Sequence, residues 1–285
     1  MILITGAGGK TGKAVIKALS RYQEPVCALV RHPEQVTILT SLGAQQVIIG
    51  DMCDPLFMDK VFSGMRVVYH ICPNMSPNEL QIAENAIGSA CRAGLEQFVY
   101  HSVLHPQVEA MPHHWLKMRV EECLFSSGLH YTILQPGAYM QNILAYWESI
   151  TQRGVYAVPY NLSARLSYVD LEDIAEVASR VILQPGHSEA IYELAGPETL
   201  SQFEVAKIIA EVSGRPVEAR MENRFEWEKK MRAANMNPFA VETLLKMFAY
   251  YENNGLVGSP KVLEWLLERP AHRFASFVES ILQGE

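Results

Sequence analysis

Met1-Ile2-Leu3-Ile4-Thr5-Gly6-Ala7-Gly8-Gly9-Lys10-Thr11-Gly12-Lys13-Ala14-Val15-Ile16 opens the chain, and the order of residue types in it decides the fold. Ile2–Thr5 is a short, continuous apolar run, as expected of a strand covered on both faces. Gly6, Gly9 and Gly12 follow it at once, and Val15, Ile16 and Leu19 then recur at helical spacing. Glycine lets a chain turn sharply, lets backbone N–H groups approach a ligand closely, and lets a helix pack tightly on a strand. A helix N-terminus placed there favours an anion through its unpaired amides. Strand, glycine turn and helix in this order predict a βαβ unit whose first corner cradles the diphosphate of a dinucleotide. The expected contacts are Gly6, Gly8, Gly9, Lys10, Thr11 and Gly12. Gly9-Lys10-Thr11 also resembles the tail of a nucleoside-triphosphate loop, but the glycine such a loop needs falls on Ile4, inside the strand.

Outward from this corner, Pro25–Val30, Gln46–Ile49, Val67–Ile71, Gln97–His101, Tyr131–Leu134 and Ile191–Leu194 read as further buried strands. Helix-period stretches separate them, through Val36/Leu39, Val61/Phe62 and Leu80/Ala83/Ile87/Ala90/Cys91. Such alternation implies an α/β, Rossmann-type doubly wound parallel sheet with its ligand at the carboxyl ends of the strands. The pattern changes after about residue 135. Asp170 or Asp173 can start one helix, and Ser201-Gln202-Phe203-Glu204 is a capping-box sequence before another. The division expected is a nucleotide-binding domain over 1–155, completed by 165–195, and a smaller, mainly helical substrate or partner region over 196–285.

A net charge of −7 excludes a general nucleic-acid binder, which needs a basic stripe. Five cysteines at wide gaps form no CxxC pair, which fits reduced thiols in a cytoplasmic protein. No stretch approaches the length of a membrane span, and no metal ligand spacing is present. His101, His105, His113 and His114 lack the carboxylate pattern that would make them a metal set.

The second strand ends Ala28-Leu29-Val30-Arg31. An NAD-selective site would place Asp or Glu here to bond the ribose 2′-hydroxyl. The nearby acids are Glu24, before the strand, and Glu34, within the next helix. Arg31 can instead pair with a 2′-phosphate, so NADP(H) is the expected cofactor, with NAD(H) left open.

These residues, taken with Gly50-Asp51, Gln135-Pro136-Gly137-Ala138-Tyr139-Met140-Gln141-Asn142, Val169-Asp170-Leu171-Glu172-Asp173-Ile174-Ala175, Tyr192–Pro197 and Met247–Tyr251, carry a resemblance along nearly the whole chain. The chain resembles the NmrA-like group of atypical short-chain dehydrogenases/reductases. That group includes NAD(P)H-dependent quinone and dye reductases and also redox-sensing regulators. The resemblance implies that Asp51, with Met52, contacts the adenine and that Cys72-Pro73 lines the nicotinamide ribose. It further implies cofactor contacts from Ser102, Lys117, Pro136, Gly137 and Tyr139. A helix cap before Pro55 remains the alternative for Asp51, and a buried apolar filler the alternative for Cys72.

Typical short-chain dehydrogenases pair a serine with Tyr-x-x-x-Lys. Here Ser102 follows the fifth strand and Lys117 lies in the next helix, but His113 stands where the tyrosine would be. Hydride transfer to an extended acceptor needs a bound cofactor, an apolar slot and a donor near the developing anion. Lys117 can supply that charge, and His113 can donate a proton. A solvated helix face is the alternative for both. Tyr139, Met140, Tyr160 and Tyr168 are the expected pocket for a flat apolar substrate, and Trp147, Trp227 and Trp265 are read as core. Two functions stay open: an NAD(P)H-dependent reductase of a quinone or similar acceptor, and a non-catalytic NADP(H) sensor that regulates a protein partner. A benzylic-ether-type reductase or isomerase with Lys117 as base is a third, weaker reading. A homodimer is compatible with either function.

Overall fold

The computed structural model describes residues 1–284. It opens with β1 (Ile2–Ile4), α1 (Lys10–Ser20), β2 (Val26–Val30), α2 (Val36–Ser41), β3 (Gln46–Ile49), α3 (Pro55–Phe62), β4 (Val67–His70), α4 (Glu79–Ala93), β5 (Gln97–His101), α5 (Pro112–Phe125) and β6 (Tyr131–Pro136). There follow β7 (Ala138–Tyr139), α6 (Trp147–Arg153), β8 (Val155–Val158), β9 (Leu166–Val169), α7 (Leu171–Leu183), β10 (Ala190–Leu194), β11 (Glu198–Leu200), α8 (Gln202–Ser213) and β12 (Glu218–Met221). The described chain ends with α9 (Arg224–Ala233), α10 (Pro238–Asn254), α11 (Lys261–Leu267) and α12 (Phe274–Gln283).

Seven strands form one parallel sheet in the order β10-β6-β5-β4-β1-β2-β3. The β10 and β6 strands run the same way, with Glu189 N–H donating to Tyr131 O and, further along both, Gly137 N–H to Leu194 O. Strand order reverses between β1 and β4, as in a doubly wound sheet. The strands β1, β2 and β4 are buried at every residue. Their continuous apolar composition follows from helices covering both faces, since no position can afford a polar side chain without a partner. Each expected strand is present within a residue or two of its predicted ends, but the expectation of burial is corrected for the two edge strands: β3 has no buried residue and β10 only Leu194.

Two compact units divide the chain. The first groups Met1–Gln107, His114–Gln135 and Ile174–Tyr192, and holds most of the sheet. The second groups Val108–His113, Pro136–Asp173 and the chain from Glu193 onward. It contains a three-stranded sheet, β11-β9-β7, and the parallel pair β12 and β8. Ser201 caps α8 in the expected box, its hydroxyl accepting from Glu204 N–H while Glu204 Oε2 accepts from Ser201 N–H at 2.7 Å. Within the second unit, buried Asp173 holds the segment before α12, accepting from Arg269 Nη2 and His272 N–H, each at 2.8 Å. Trp227 is core, but the expectation for Trp265 is corrected: it is 65% exposed. Leu263, Leu266 and Leu267 make the buried face of α11, and position 265 falls on its opposite side.

Candidate functional site

The glycine corner is built as the opening stretch demands. Gly6 adopts φ +57, and a Cβ there would lie 2.7 Å from Ile71 O. A Cβ on Gly12 would lie 2.6 Å from Ala7 Cα, so only glycine lets α1 begin so close to the turn. Gly9 is the N-cap of α1 and offers no side-chain hydrogen bond to the amides of the first turn. Thr5 pins this corner to the neighbouring strand: its hydroxyl donates to Ile71 O at 3.1 Å and accepts from Ile71 N–H at 2.9 Å. The hydroxyl also pairs with His70 Nδ1 at 3.0 Å. Gly9 and Lys10 are exposed, whereas Thr11 and Gly12 are buried. An uncapped helix start, approached by a backbone that a Cβ would obstruct, fits a dinucleotide diphosphate.

At the end of β2, Arg31 and His32 are exposed, with Arg31 Nε 3.3 Å from His32 Nε2. Asp51, after β3, is exposed and accepts from Cys53 N–H at 3.0 Å. The capping alternative for Asp51 is overturned, because Asp54 caps α3 by accepting from Leu56 and Phe57 N–H. Met52 is buried in the apolar cluster with Met58, Phe62 and Cys72. Asn85 Nδ2 holds that loop by donating to Met52 O at 3.1 Å and Cys53 O at 3.2 Å. Cys72 is buried and Pro73 half-buried after β4. Burial, then the Glu79 charge, holds the Cys72 thiol well above its usual range.

The solvated-face alternative for Lys117 is overturned, since Lys117 is 5% exposed. Its Nζ donates to Glu79 Oε1 at 2.9 Å and to His101 O at 3.1 Å, and lies 5.2 Å from the centre of the Tyr100 ring. Tyr100 also donates to Glu79 Oε1, at 3.1 Å. Sequence reasoning missed Glu79 altogether. The signal existed: Glu79 falls on the same helical stripe as Ile82, Ala83, Ala86 and Ala90, where an acid must be buried. Beside Lys117, Ser102 donates to Glu121, and Gln135 Nε2 donates to both Glu121 oxygens at 2.9 Å. The Ser102 hydroxyl is thus engaged within the protein. Burial raises the Glu121 pKa above the ordinary carboxylate range, against these hydrogen bonds. His70 and His101 are held neutral, each pushed down to about 3 by burial and then by the Lys117 charge.

His113 belongs to the second unit, in the first turn of α5, and is buried, so it too departs from a solvated face. Pro136 and Gly137 are buried and Tyr139 half-buried in that unit. The hydroxyls of Tyr156, Tyr168 and Tyr160 converge on Gln202 Oε1 at 2.7, 3.0 and 3.5 Å, so Tyr160 and Tyr168 spend their polar ends internally. Among the described residues, no group of three or more His, Cys, Asp or Glu is placed to hold a metal ion. No described helix is long and apolar enough to cross a membrane.

The model of the NmrA-like family matches residues 1–279. An NAD(P)H azoreductase of Xenophilus azovorans is 29% identical over 285 residues, covering 98% of this chain and 97% of its own. The structure of the NADPH-dependent quinone oxidoreductase QOR2 of Escherichia coli, complexed with NADPH, superposes with a TM-score of 0.86 at 25% identity, covering 99% of this chain and 100% of its own. NmrA, a negative transcriptional regulator solved with NADP, has a TM-score of 0.81 at 17% identity over 99% of this chain and 95% of its own, a likeness of fold.

Proposed function

This chain belongs to the NmrA-like family, and from that premise we propose that it is an NADPH-dependent reductase of quinones or similar flat, apolar electron acceptors. The observation that carries the reading is Lys117: a buried ammonium at the carboxyl ends of the strands, in the unit that also holds the glycine cradle. In this reading Gly6, Gly8, Gly9, Lys10, Thr11 and Gly12 hold the diphosphate, and Arg31 pairs with the 2′-phosphate. Asp51 and Met52 receive the adenine, and Cys72 and Pro73 line the nicotinamide ribose. Ser102, Pro136, Gly137 and Tyr139 complete the cofactor's surroundings.

Bound NADPH supplies a hydride. Reduction of a quinone to its hydroquinone consumes that hydride and one proton, and places negative charge on an oxygen before the proton arrives. Lys117 stabilises that charge without a dedicated base, and His113 donates the proton. The missing tyrosine is then no defect, because the oxyanion left by hydride transfer to a quinone is delocalised over an aromatic ring and needs less acid assistance than the alkoxide left on a ketone. Support also comes from the azoreductase and quinone oxidoreductase relatives.

The test is steady-state NADPH oxidation with a panel of quinones and azo dyes. Turnover that falls about 100-fold in Lys117→Met, with NADPH affinity changed less, supports the reading. His113→Gln should lower turnover about 10-fold at unchanged NADPH affinity. The sensor reading has one observation in its favour: the Lys117 ammonium is already engaged by Glu79 and His101 O. It is preferred if no acceptor is reduced and NADP⁺ and NADPH bind with unequal affinity.

A further inference from the structure

Gly8 carries a feature that the diphosphate cradle does not require. A Cβ built there would fall on the Gln35 carboxamide, so the amide group rests directly against the Gly8 backbone. Gln35 ends the short 3₁₀ turn Pro33–Gln35, which leaves the carboxyl end of β2 just after Arg31 and His32. Its backbone N–H donates to His32 O at 3.2 Å, which fixes the turn. Its carboxamide makes no hydrogen bond among the described residues, although it is half-buried. In a doubly wound sheet the adenosine ribose lies between the first glycine turn and the end of the second strand, and its 2′ substituent faces the residues that end that strand. Gln35 spans that gap from one wall to the other. Arg31, the cation expected to meet a 2′-phosphate, is exposed and faces His32, not a carboxylate.

We propose that the Gln35 carboxamide reads the 2′ position of the adenosine ribose in both chemical forms, donating from Nε2 to a phosphate or accepting at Oε1 from a hydroxyl. The proposal rests on the cofactor assignment above and extends it. A carboxylate can only accept and would repel a phosphate, and an ammonium can only donate; a carboxamide does either by turning over. The consequence is a site that takes NADPH and NADH alike, with Arg31 providing the preference for the phosphate through charge. Gly8 is part of the same device. A side chain there would displace the amide from its wall.

Calorimetric binding of NADPH, NADH, 2′,5′-ADP and 5′-AMP to the purified chain tests this without reference to turnover. Wild-type protein should bind NADH within about 100-fold of NADPH. Gln35→Glu should weaken NADPH and 2′,5′-ADP by about 10- to 100-fold and leave NADH and 5′-AMP within about threefold. Gln35→Lys should shift the NADPH-to-NADH preference the other way, by about 10-fold or more. Wild-type binding of NADPH with no saturable NADH binding overturns the inference, as does an equal change for both cofactors in the two variants, or no change in either. If wild-type protein binds neither cofactor, the functional reading falls with it; in the other adverse outcomes it survives.

Discussion

Lys117 and Glu79 are buried together, their side chains only 6% and 1% exposed. Removing one partner leaves the other charged in an apolar site, which typically costs about 3–5 kcal/mol. Lys117→Met alone should therefore lower stability by about that amount as well as slow turnover, and the two effects need separating. Combining it with Glu79→Gln removes both charges. The double variant should recover most of the lost stability in denaturant titration while staying as slow as Lys117→Met. Recovery of turnover in the double variant would mean that Lys117 acts through folding and not on the acceptor. The neutral imidazoles nearby give a second residue-scale prediction. His70 and His101 have folded pKa values near 3, below the unfolded value of about 6.5, so the unfolded chain binds more protons between those limits. Their contribution is fully present above about pH 6.5 and is lost as pH falls towards 3, at about 1.4 kcal/mol per pH unit for each histidine. Glu121, whose pKa burial raises, works in the opposite direction, and the hydrogen bonds from Ser102 and Gln135 reduce its effect. His70→Asn should flatten the pH dependence of stability between about pH 4 and 6 by roughly one proton's worth; an unchanged slope would show that His70 is not titrating on unfolding.

At the scale of elements, α1 depends on Gly12. Its Cα approaches the Ala7 backbone so closely that a methyl group has no room, and the obstruction is backbone, which cannot swing aside as a side chain can. Gly12→Ala should push the start of α1 off the turn, weakening NADPH binding by at least about 10-fold and costing about 1–3 kcal/mol of stability. Fluorescence titration with NADPH, paired with thermal unfolding, reads both; binding at wild-type affinity would sink the claim that this helix start forms the cradle. The same elements explain what the sequence could disclose. Strands β1, β2 and β4 announce themselves because burial on both faces forces continuous apolar runs, and the corner announces itself because the close backbone approaches at Gly6 and Gly12 leave no room for a Cβ. The Ser201–Glu204 box is legible because capping is a local contact. Glu79 and Gln35 are not, since their roles arise from partners 38 and 27 residues away in the chain, and one polar letter in a helix or turn carries no mark of what lies opposite. Lys117 was legible as a candidate but not as buried. The polar neighbours on α5 suggested solvent, whereas Glu79 and the end of β5 enclose the ammonium. Trp265 errs the other way: size and aromaticity argue for core, but a short helix buries only one face.

For the whole molecule, the charge of −7 opposes approach of an anionic cofactor, so binding must rest on a few local donors. The segments proposed to hold the cofactor, the β1–α1 corner, the end of β2 and the loops after β3 and β4, are far apart in sequence but joined by the sheet. A ligand held by several such segments should stabilise them together. At 100 times its dissociation constant, NADPH should add about 2.7 kcal/mol to the stability of whatever must unfold to release it. Hydrogen exchange measured with and without NADPH can locate that gain. Amides of Gly6–Lys13, Arg31–Gln35 and Gly50–Cys53 should slow together, because each either faces the cofactor or must open to let it go. Arg31→Ala should abolish the difference at NADPH concentrations that saturate the wild-type chain only modestly, and excess NADPH should restore it. Protection that leaves the β1–α1 corner unchanged would place the dinucleotide elsewhere, since no bound diphosphate could lie over those amides without shielding them from solvent.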